Sequence, residues 1–101
     1  MEIINAIGRV RFASARPQRV HLADGDGYVV ELICMEAGQR LKVASGGWTY
    51  YVVMGTAALT ANHQTAHVPT GQLAVTAAAQ PHTLANAGPG RLVCLAIGRP
   101  S

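Results

Sequence analysis

The feature that most restricts the fold of this chain is a two-residue alternation of apolar and polar side chains, interrupted at intervals by glycine and proline. The alternation is visible at residues 10–12, 20–22 and 73–77. Such a pattern is typical of strands that bury one face. Short strands with turn signals about every 8–12 residues predict a sandwich or a small barrel. We therefore expect an all-β domain of roughly eight to ten strands with almost no α-helix.

Two stretches illustrate how the strands and turns are assigned. The run Asp-Gly-Asp-Gly at 24–27 predicts a turn, because glycine adopts positive φ and aspartate bonds its own backbone. Residues 48–54 are mostly aromatic or β-branched, which is the composition of a central strand. Gly55 follows directly and indicates a bulge or bend where the strand must curve.

Length and composition limit the class of protein. A chain of 101 residues suits one domain with one hydrophobic core. Half of the residues are apolar and only 13% are charged, which excludes a disordered chain. No apolar run approaches the ~20 residues of a membrane-spanning helix, and no basic stretch precedes an apolar one at the N-terminus. We expect a single domain over residues 1–101, no membrane partner and a cytoplasmic location.

The positive charge does not follow the pattern of a nucleic-acid-binding protein. The net charge is +3, and four of the arginines lie in the first twenty residues. A nucleic-acid-binding surface would gather such residues on one face with aromatic side chains between them. Here Arg9 and Arg11 alternate with Val10 and Phe12, as on the exposed face of a half-buried strand. We expect no nucleic-acid partner.

The two cysteines, Cys34 and Cys94, lie in separate apolar runs. They lack the C-x-x-C spacing of redox and zinc motifs. In a cytoplasmic chain the expected state is a pair of buried free thiols, with Cys34 on the strand face that also carries Val30 and Leu32.

Two longer stretches resemble the two sequence motifs of the cupin superfamily, whose members are small β-barrels that usually hold one metal ion. They read E-A-G-Q-R-L-K-V-A-S-G-G-W-T-Y-Y-V-V-M-G at 36–55 and P-T-G-Q-L-A-V-T-A-A-A-Q-P-H-T-L-A-N-A-G-P-G at 69–90. The resemblance extends from about residue 28 to 97 and rests on the spacing of Gly38, Tyr51-Val52, Gly55, Gly71, Pro81-His82 and Asn86. It implies a small single-domain cupin with a jelly-roll barrel.

Most of the metal ligands that the resemblance implies are missing from this chain. In the family the first motif supplies two histidines and a glutamate, and the second supplies another histidine. Trp48 occupies the glutamate position, and the two histidine positions fall on Lys42 and Ala44, or on Ala44 and Gly46 if a gap is moved. Only His82 remains. Because a transition metal needs three or four N or O ligands around one point, we expect no metal and no cofactor.

The same resemblance implies a candidate site inside the barrel. The family's glutamate points inward, so Trp48 and Tyr50 should do so too, since alternate strand residues share a face. His82 and Asn86 should point inward from the second motif. In one interpretation the rings fill the space of the lost metal. In the other they wall a pocket for a small organic ligand, with His82, Tyr50 and Lys42 as polar contacts.

Three functions stay open at this point. The first is binding of a small molecule, or an accessory role. The second is a metal-independent isomerase or epimerase with His82 as base and Tyr50 as acid, as in some sugar-modifying cupins. The third is a metal enzyme with an irregular ligand set. The scarcity of carboxylates weighs against an enzyme, because Glu31 is the only one in mid-strand, and His63 and His67 are expected to be exposed.

A homodimer is the expected assembly. Small cupins are often dimeric, and a lone barrel has strand edges that invite association. The N-terminal segment 1–13 is apolar on one face and precedes both motifs. A swapped or shared first strand is therefore the predicted mode of association.

Overall fold

The computed structural model describes residues 1–44 and 46–99, so the last two positions of the predicted domain lie outside the described residues. Nine strands follow one another along the chain: β1 Gln18–Gly25, β2 Tyr28–Met35, β3 Arg40–Val43, β4 Gly47–Met54, β5 Thr56–Ala61, β6 Gln64–Pro69, β7 Leu73–Val75, β8 His82–Asn86 and β9 Leu92–Arg99. The described residues contain no α-helix, only a 3-10 turn at Ile7–Arg9, and no helix that could cross a membrane. The all-β prediction is confirmed.

The strands form two antiparallel sheets that pack face to face. One has five strands in the order β1-β2-β9-β4-β7, and the other has four in the order β3-β8-β5-β6. Strand β4 illustrates how the alternation builds the core. Trp48, Tyr50 and Val52 are buried between the sheets, whereas Tyr51 is 40% exposed on the outer side. Burial thus alternates along β4, and the position in the pleat decides which of the two tyrosines is buried.

Gly55 carries the chain from one sheet to the other. Its φ of +90° lies in the region that favours glycine, and a Cβ at this position would lie 2.4 Å from the carbonyl oxygen of Arg91. Strand β4 therefore ends in the five-stranded sheet and β5 begins in the four-stranded sheet. The bend predicted at Gly55 is confirmed.

The N-terminal segment corrects one prediction. Residues 10–12 do not form a strand. The segment 4–13, which we call the N-terminal arm, instead packs on the outer face of the five-stranded sheet, where Val10 and Phe12 contact the cluster around Leu32. Arg9 and Arg11 are exposed. The predicted exposure of these arginines is confirmed, and the predicted strand is wrong.

Side-chain contacts hold the arm where a strand would be held by backbone bonds. The guanidinium Cζ of Arg91 lies 4.3 Å from the centroid of the Phe12 ring, and Gln39 Nε2 donates a hydrogen bond of 2.8 Å to the carbonyl of Ala13. Arg9 Nη2 donates to the carbonyl of His21 at 3.2 Å. The arm is thus tied to its own domain, and not displayed as a free strand.

Both cysteines are buried free thiols, as predicted. Cys34 packs with Leu32 beneath the arm, and Cys94 packs in the core between the sheets. Burial raises the pKa of both thiols, that of Cys94 to about 12. A thiol reacts through its thiolate, so neither cysteine is reactive near neutral pH.

Candidate functional site

Three of the predicted site residues meet between the sheets at one end of the barrel. Trp48 and Tyr50 project from β4, and His82 begins β8 in the opposite sheet. The Trp48 and Tyr50 rings are stacked with centroids 6.1 Å apart, and the Tyr50 and His82 rings meet edge-on at 5.5 Å. The three side chains, which we call the aromatic cluster, are only 4%, 1% and 4% exposed. They therefore fill the interior at this position.

One hydrogen bond joins the two motif regions inside the cluster. Tyr50 Oη lies 2.6 Å from His82 Nε2, and His82 Nδ1 lies 3.0 Å from the carbonyl oxygen of Gln80. A carbonyl only accepts, so Nδ1 is assigned the proton and Nε2 accepts from the phenol. Burial raises the pKa of Tyr50, which keeps the phenol protonated as a donor. Both nitrogens of His82 are thereby engaged.

The position of the Trp48 ring depends on a neighbouring glycine. A Cβ added at Gly98 would lie 2.2 Å from Cε3 of the indole, so the ring lies directly on the β9 backbone. The guanidinium of Arg19 lies 5.3 Å from the centroid of the indole. Trp48 Nε1 is buried and has no hydrogen-bond partner among the described residues. The indole thus contributes packing to the cluster, and its N–H contributes no bond.

The structure adds an ion pair that was not predicted from the sequence. Arg19 Nε donates to Glu31 Oε1 at 2.8 Å, and Glu31 is only 9% exposed. Arg19 lies on the strand face opposite Val20, and that face is the inner side of the sheet, since Arg19 pairs with Ile33. Its pairing depends on a register shift between His21 and Ala23 in the β1–β2 hairpin. The only signal in the sequence was an Arg and a Glu on two strands of one predicted hairpin.

Lys42 and Ala44 lie outside the aromatic cluster. Val43 pairs with His82 across the β3–β8 ladder and is buried, whereas Lys42 pairs with Thr83 and is exposed. Since side chains alternate along a strand, the inward positions of β3 are Val43 and its apolar neighbour two residues earlier. Ala44, a histidine position in both alignments of the first motif, is exposed and faces away from the interior.

A hollow of about 390 Å³ opens beside the cluster, and we call it the His82 hollow. Lys42, Thr83 and Thr60 are neighbours across β3, β8 and β5 and form part of its wall. Its lining comprises Lys42, Val43, Ala44, Thr60, Ala61, Asn62, Pro81, His82 and Thr83. The ammonium of Lys42 is the single charge in this described lining, so the hollow is apolar with hydroxyl groups and one cation.

A second hollow, of about 530 Å³, lies where the edge strands β6 and β7 of the two sheets diverge. It is lined by Leu59, Ala61, Asn62, Gln64, Thr65, Ala66, Val75, Thr76 and Gln80. Thr76 is the buried polar member, and its Oγ1 accepts a hydrogen bond of 3.0 Å from the backbone N–H of Trp48. Ala61 and Asn62 belong to both hollows, so the β5–β6 turn separates them.

Asn86 lies at the opposite end of β8 from the aromatic cluster. Its Nδ2 donates to the carbonyls of Gly90 at 2.7 Å and Met35 at 3.3 Å, and its Oδ1 accepts from the N–H of Gly88 at 3.1 Å. These bonds fasten the loop after β8 to the end of β2. A role of Asn86 in ligand binding stays a prediction.

The other histidines stand apart from the cluster. His63 and His67 are exposed, as predicted, and His63 occupies the β5–β6 turn with φ of +62°. His21 is exposed and its Nε2 lies 3.1 Å from Asp24 Oδ2. None of the three contributes to the interior.

The residues present do not fit the metal ion that the resemblance implies. Within residues 1–44 and 46–99, no three His, Cys, Asp or Glu side chains are grouped so that they could hold a metal. His82 Nε2 already accepts from Tyr50, and Trp48 has no lone pair to offer. The remaining interior positions facing His82 are apolar, as at Val43.

Comparisons with known proteins agree with this fold. Residues 44–98, more than half of the chain, match the sequence profile of the Cupin_2 family, described as a cupin domain. A comparison with curated proteins finds no match.

Solved structures extend the similarity to nearly the whole chain. An uncharacterised Klebsiella pneumoniae protein with a double-stranded β-helix domain is 24% identical, with a TM-score of 0.86 over 99% of this chain and 90% of that one. A Thermus thermophilus protein is 20% identical, with a TM-score of 0.89 over 99% and 98% of the two chains. An rmlc-like cupin from Desulfovibrio desulfuricans is 19% identical, with a TM-score of 0.84 over 99% and 97%. At these identities the likeness establishes the jelly-roll fold alone.

Proposed function

The chain belongs to the cupin family, and we propose that it is a metal-independent member that binds a small organic molecule in the His82 hollow. The observation that carries this proposal is the 2.6 Å contact between Tyr50 Oη and His82 Nε2. In this contact a phenol occupies the nitrogen lone pair that would otherwise be available to a metal. Binding must then come from packing and hydrogen bonds at the edge of the cluster.

The lining of the His82 hollow supports a ligand with one negatively charged group. Its walls are apolar apart from hydroxyl and amide groups, and Lys42 supplies the one cation of the described lining. Pockets of about 300–1,000 Å³ with apolar walls and a few polar groups are typical of small-molecule sites. A small carboxylic acid could place its carboxylate near Lys42 and its apolar part beside Pro81 and Val43.

Native mass spectrometry of protein purified without chelator tests this proposal most directly. We expect a co-purified small molecule, or a rise in melting temperature with members of a set of small carboxylic acids, because binding to the folded state stabilises it. Lys42→Met should remove that rise, while Arg40→Met, which removes a cation from the same exposed face of β3, should leave it. A melting-temperature rise with zinc, nickel, iron or manganese that is lost in His82→Ala would contradict metal independence.

A second candidate is a metal-independent isomerase or epimerase that uses His82 and Tyr50. The hydrogen bond between the two side chains favours it, since proton transfer needs groups within such reach. Two observations weigh against it. Burial raises the pKa of Tyr50, which makes the phenol a weaker acid. Tyr50 is only 1% exposed and bonds directly to His82, so no substrate fits between the two groups. Deuterium exchange into a keto sugar that is abolished by Tyr50→Phe would favour the enzyme.

We also propose a cytoplasmic location. The proposal is supported by the two buried thiols, which are unpaired, because disulfides are favoured in oxidising compartments.

A further inference from the structure

The second hollow differs from the His82 hollow in the chemistry of its walls. It has a volume of about 530 Å³, and three of its lining residues, Asn62, Gln64 and Gln80, carry primary amides. We therefore call it the amide hollow. No residue of its described lining is charged. Such walls suit a neutral polar group, because an ionised group that leaves water here would find no counter-charge.

The amides of this hollow have bonding capacity to spare. Asn62 and Gln64 are exposed, and no side-chain hydrogen bond holds either of them within residues 1–44 and 46–99. Gln80 Oε1 accepts from the backbone N–H of Ala77 at 3.4 Å, which leaves Nε2 of the same amide as a donor. A primary amide both donates and accepts hydrogen bonds, and so does a hydroxyl group. The three amides therefore match a part of a ligand that carries several hydroxyls.

The two hollows open side by side at the end of the barrel where β8 begins. On one side they share Ala61 and Asn62, and on the other side the successive residues Gln80 and Pro81 line one hollow each. A molecule that crosses Asn62 therefore passes directly from the His82 hollow into the amide hollow.

A row of polar residues links the two hollows across the four-stranded sheet. Lys42 pairs with Thr83, Thr83 pairs with Thr60, and Thr60 pairs with Thr65. Lys42 lines the His82 hollow and Thr65 lines the amide hollow. The hydroxyl oxygens of Thr60 and Thr65 are 2.8 Å apart. Because neighbouring strands lie about 4.8 Å apart, the row extends over roughly 14 Å, which is more than the length of a single six-membered ring.

We infer that one ligand occupies both hollows, and that it is a polyhydroxylated acid longer than a single ring. The inference rests on the proposed function, because the carboxylate of this ligand lies near Lys42 as it does there. The C–H groups of the molecule pack beside Pro81, its chain crosses Asn62, and its hydroxyls bond to the amides of Gln64 and Gln80. The proposed function names the acidic end of the ligand, and the amide hollow adds a neutral, hydroxylated end.

The distribution of charge favours a ligand that is acidic at one end only. Lys42 is the single cation of the described lining of the His82 hollow, and the described lining of the amide hollow has none. A second carboxylate would lose water in the amide hollow without gaining a cation, whereas a hydroxyl would exchange its bonds to water for bonds to an amide. The two hollows therefore differ in which end of the ligand they accept.

Isothermal titration calorimetry of the full chain with lactobionate, gluconate and lactose tests the inference. Lactobionate is gluconate joined to a neutral sugar, gluconate lacks that sugar, and lactose is a neutral disaccharide of similar size. We expect lactobionate to bind about tenfold more tightly than either of the others, because it alone places a carboxylate near Lys42 and hydroxyls in the amide hollow.

Substitutions in each hollow assign the two ends of the ligand. Gln64→Ala should lower the affinity for lactobionate to about that for gluconate and leave the affinity for gluconate unchanged. Gln72→Ala removes an exposed amide outside both hollows and should change neither affinity. Lys42→Met should weaken the binding of both acids and leave that of lactose unchanged. Asn62 is not replaced, because its φ of +51° is unfavourable for alanine. Circular dichroism confirms that each variant is folded.

Several results would overturn the inference, and they separate it from the proposed function. Equal affinities for lactobionate and gluconate, both lowered by Lys42→Met, would contradict the inference and leave the proposed function in place. The same holds if lactobionate does not bind while other small carboxylic acids stabilise the protein through Lys42. Tighter binding of lactobionate that persists in Gln64→Ala would place the neutral sugar outside the amide hollow. If neither these acids nor other small carboxylic acids bind, both proposals are wrong.

Discussion

The two ends of strand β8 each carry a buried polar side chain, and they are held in different ways. Asn86 bonds only to backbone groups, those of Met35, Gly88 and Gly90. His82 bonds to one backbone carbonyl and to the side chain of Tyr50. The bonds at the Asn86 end therefore do not depend on which side chains the partner residues carry, because every residue has a backbone carbonyl. The His82 end depends on which side chain stands on β4.

This difference separates the bonds that hold the two sheets from the side chains that determine the chemistry of the interior. The backbone bonds of Asn86 fix the end of β2 and the loop after β8 without reference to the site. At the other end the hydrogen bond joins two side chains, so a substitution at Tyr50 or His82 would change the chemistry of the interior. The predictions that follow test whether the His82 end is a packed core and the Asn86 end a backbone anchor.

Replacement of Trp48 should have the largest effect. Trp48→Ala removes a 4% exposed ring that lies on the β9 backbone, so we expect a loss of about 3–5 kcal/mol in the free energy of unfolding measured in urea. Tyr28→Ala, at a ring that is 44% exposed, should cost about 1 kcal/mol or less. If Trp48→Ala is as mild as Tyr28→Ala, the ring borders open space, and the pocket interpretation of the cluster gains support.

Replacement of Asn86 should be the next in size. Asn86→Ala leaves the N–H of Gly88 and the carbonyls of Met35 and Gly90 without their partner, and buried unsatisfied groups cost roughly 1–3 kcal/mol each when water cannot reach them. We expect a total of about 2–4 kcal/mol by urea unfolding, because the loop after β8 is partly open to water. Gln72→Ala, at an exposed amide, should be nearly neutral. An equally small effect at Asn86 would contradict the anchor.

Much of the fold could be predicted because its signals are local. The strand at β4, the bend at Gly55 and the burial of Cys34 each follow from alternation or from one residue type at one position. The stacking of Trp48 and Tyr50 on one face follows from the same alternation. That this face points into the barrel and meets His82 was implied only by the resemblance to the cupin motifs, and a functional role of these residues stays a prediction.

The remaining features depend on pairings that the sequence does not specify. The ion pair of Arg19 with Glu31 required the register of β1 on β2, which shifts by a bulge between His21 and Ala23. A half-exposed strand and an arm lying on a sheet produce the same alternation, so Val10 and its neighbours were assigned a strand wrongly. Burial depends on which face of the sheet is covered, and only the tertiary structure specifies that.

The hydrogen bond between Tyr50 and His82 should appear as an energetic coupling. His82→Ala alone should cost about 1–3 kcal/mol, because it leaves the Tyr50 hydroxyl buried without a partner. Tyr50→Phe should also destabilise the protein, by about 1–2 kcal/mol. The double variant should cost about 1 kcal/mol less than the two single losses combined, as expected for groups in direct contact. Strict additivity would mean that the two side chains do not support each other.

The smallest effect concerns alkaline pH and separates the Tyr50 hydroxyl from the rest of the cluster. Burial raises the pKa of Tyr50 in the folded state, whereas tyrosines in an unfolded chain ionise near pH 10. A raised pKa contributes stability that is fully present below about pH 10 and is lost as the pH rises above it. Between about pH 8 and pH 11 the wild type should lose roughly 1 kcal/mol more than Tyr50→Phe in urea unfolding.

The buried thiols of Cys34 and Cys94 also have raised pKa values, but they are present in both proteins and cancel in the comparison. Parallel pH profiles would mean that the Tyr50 phenolate is accommodated in the fold, and that the His82 end is open to water and not packed as the Asn86 end is.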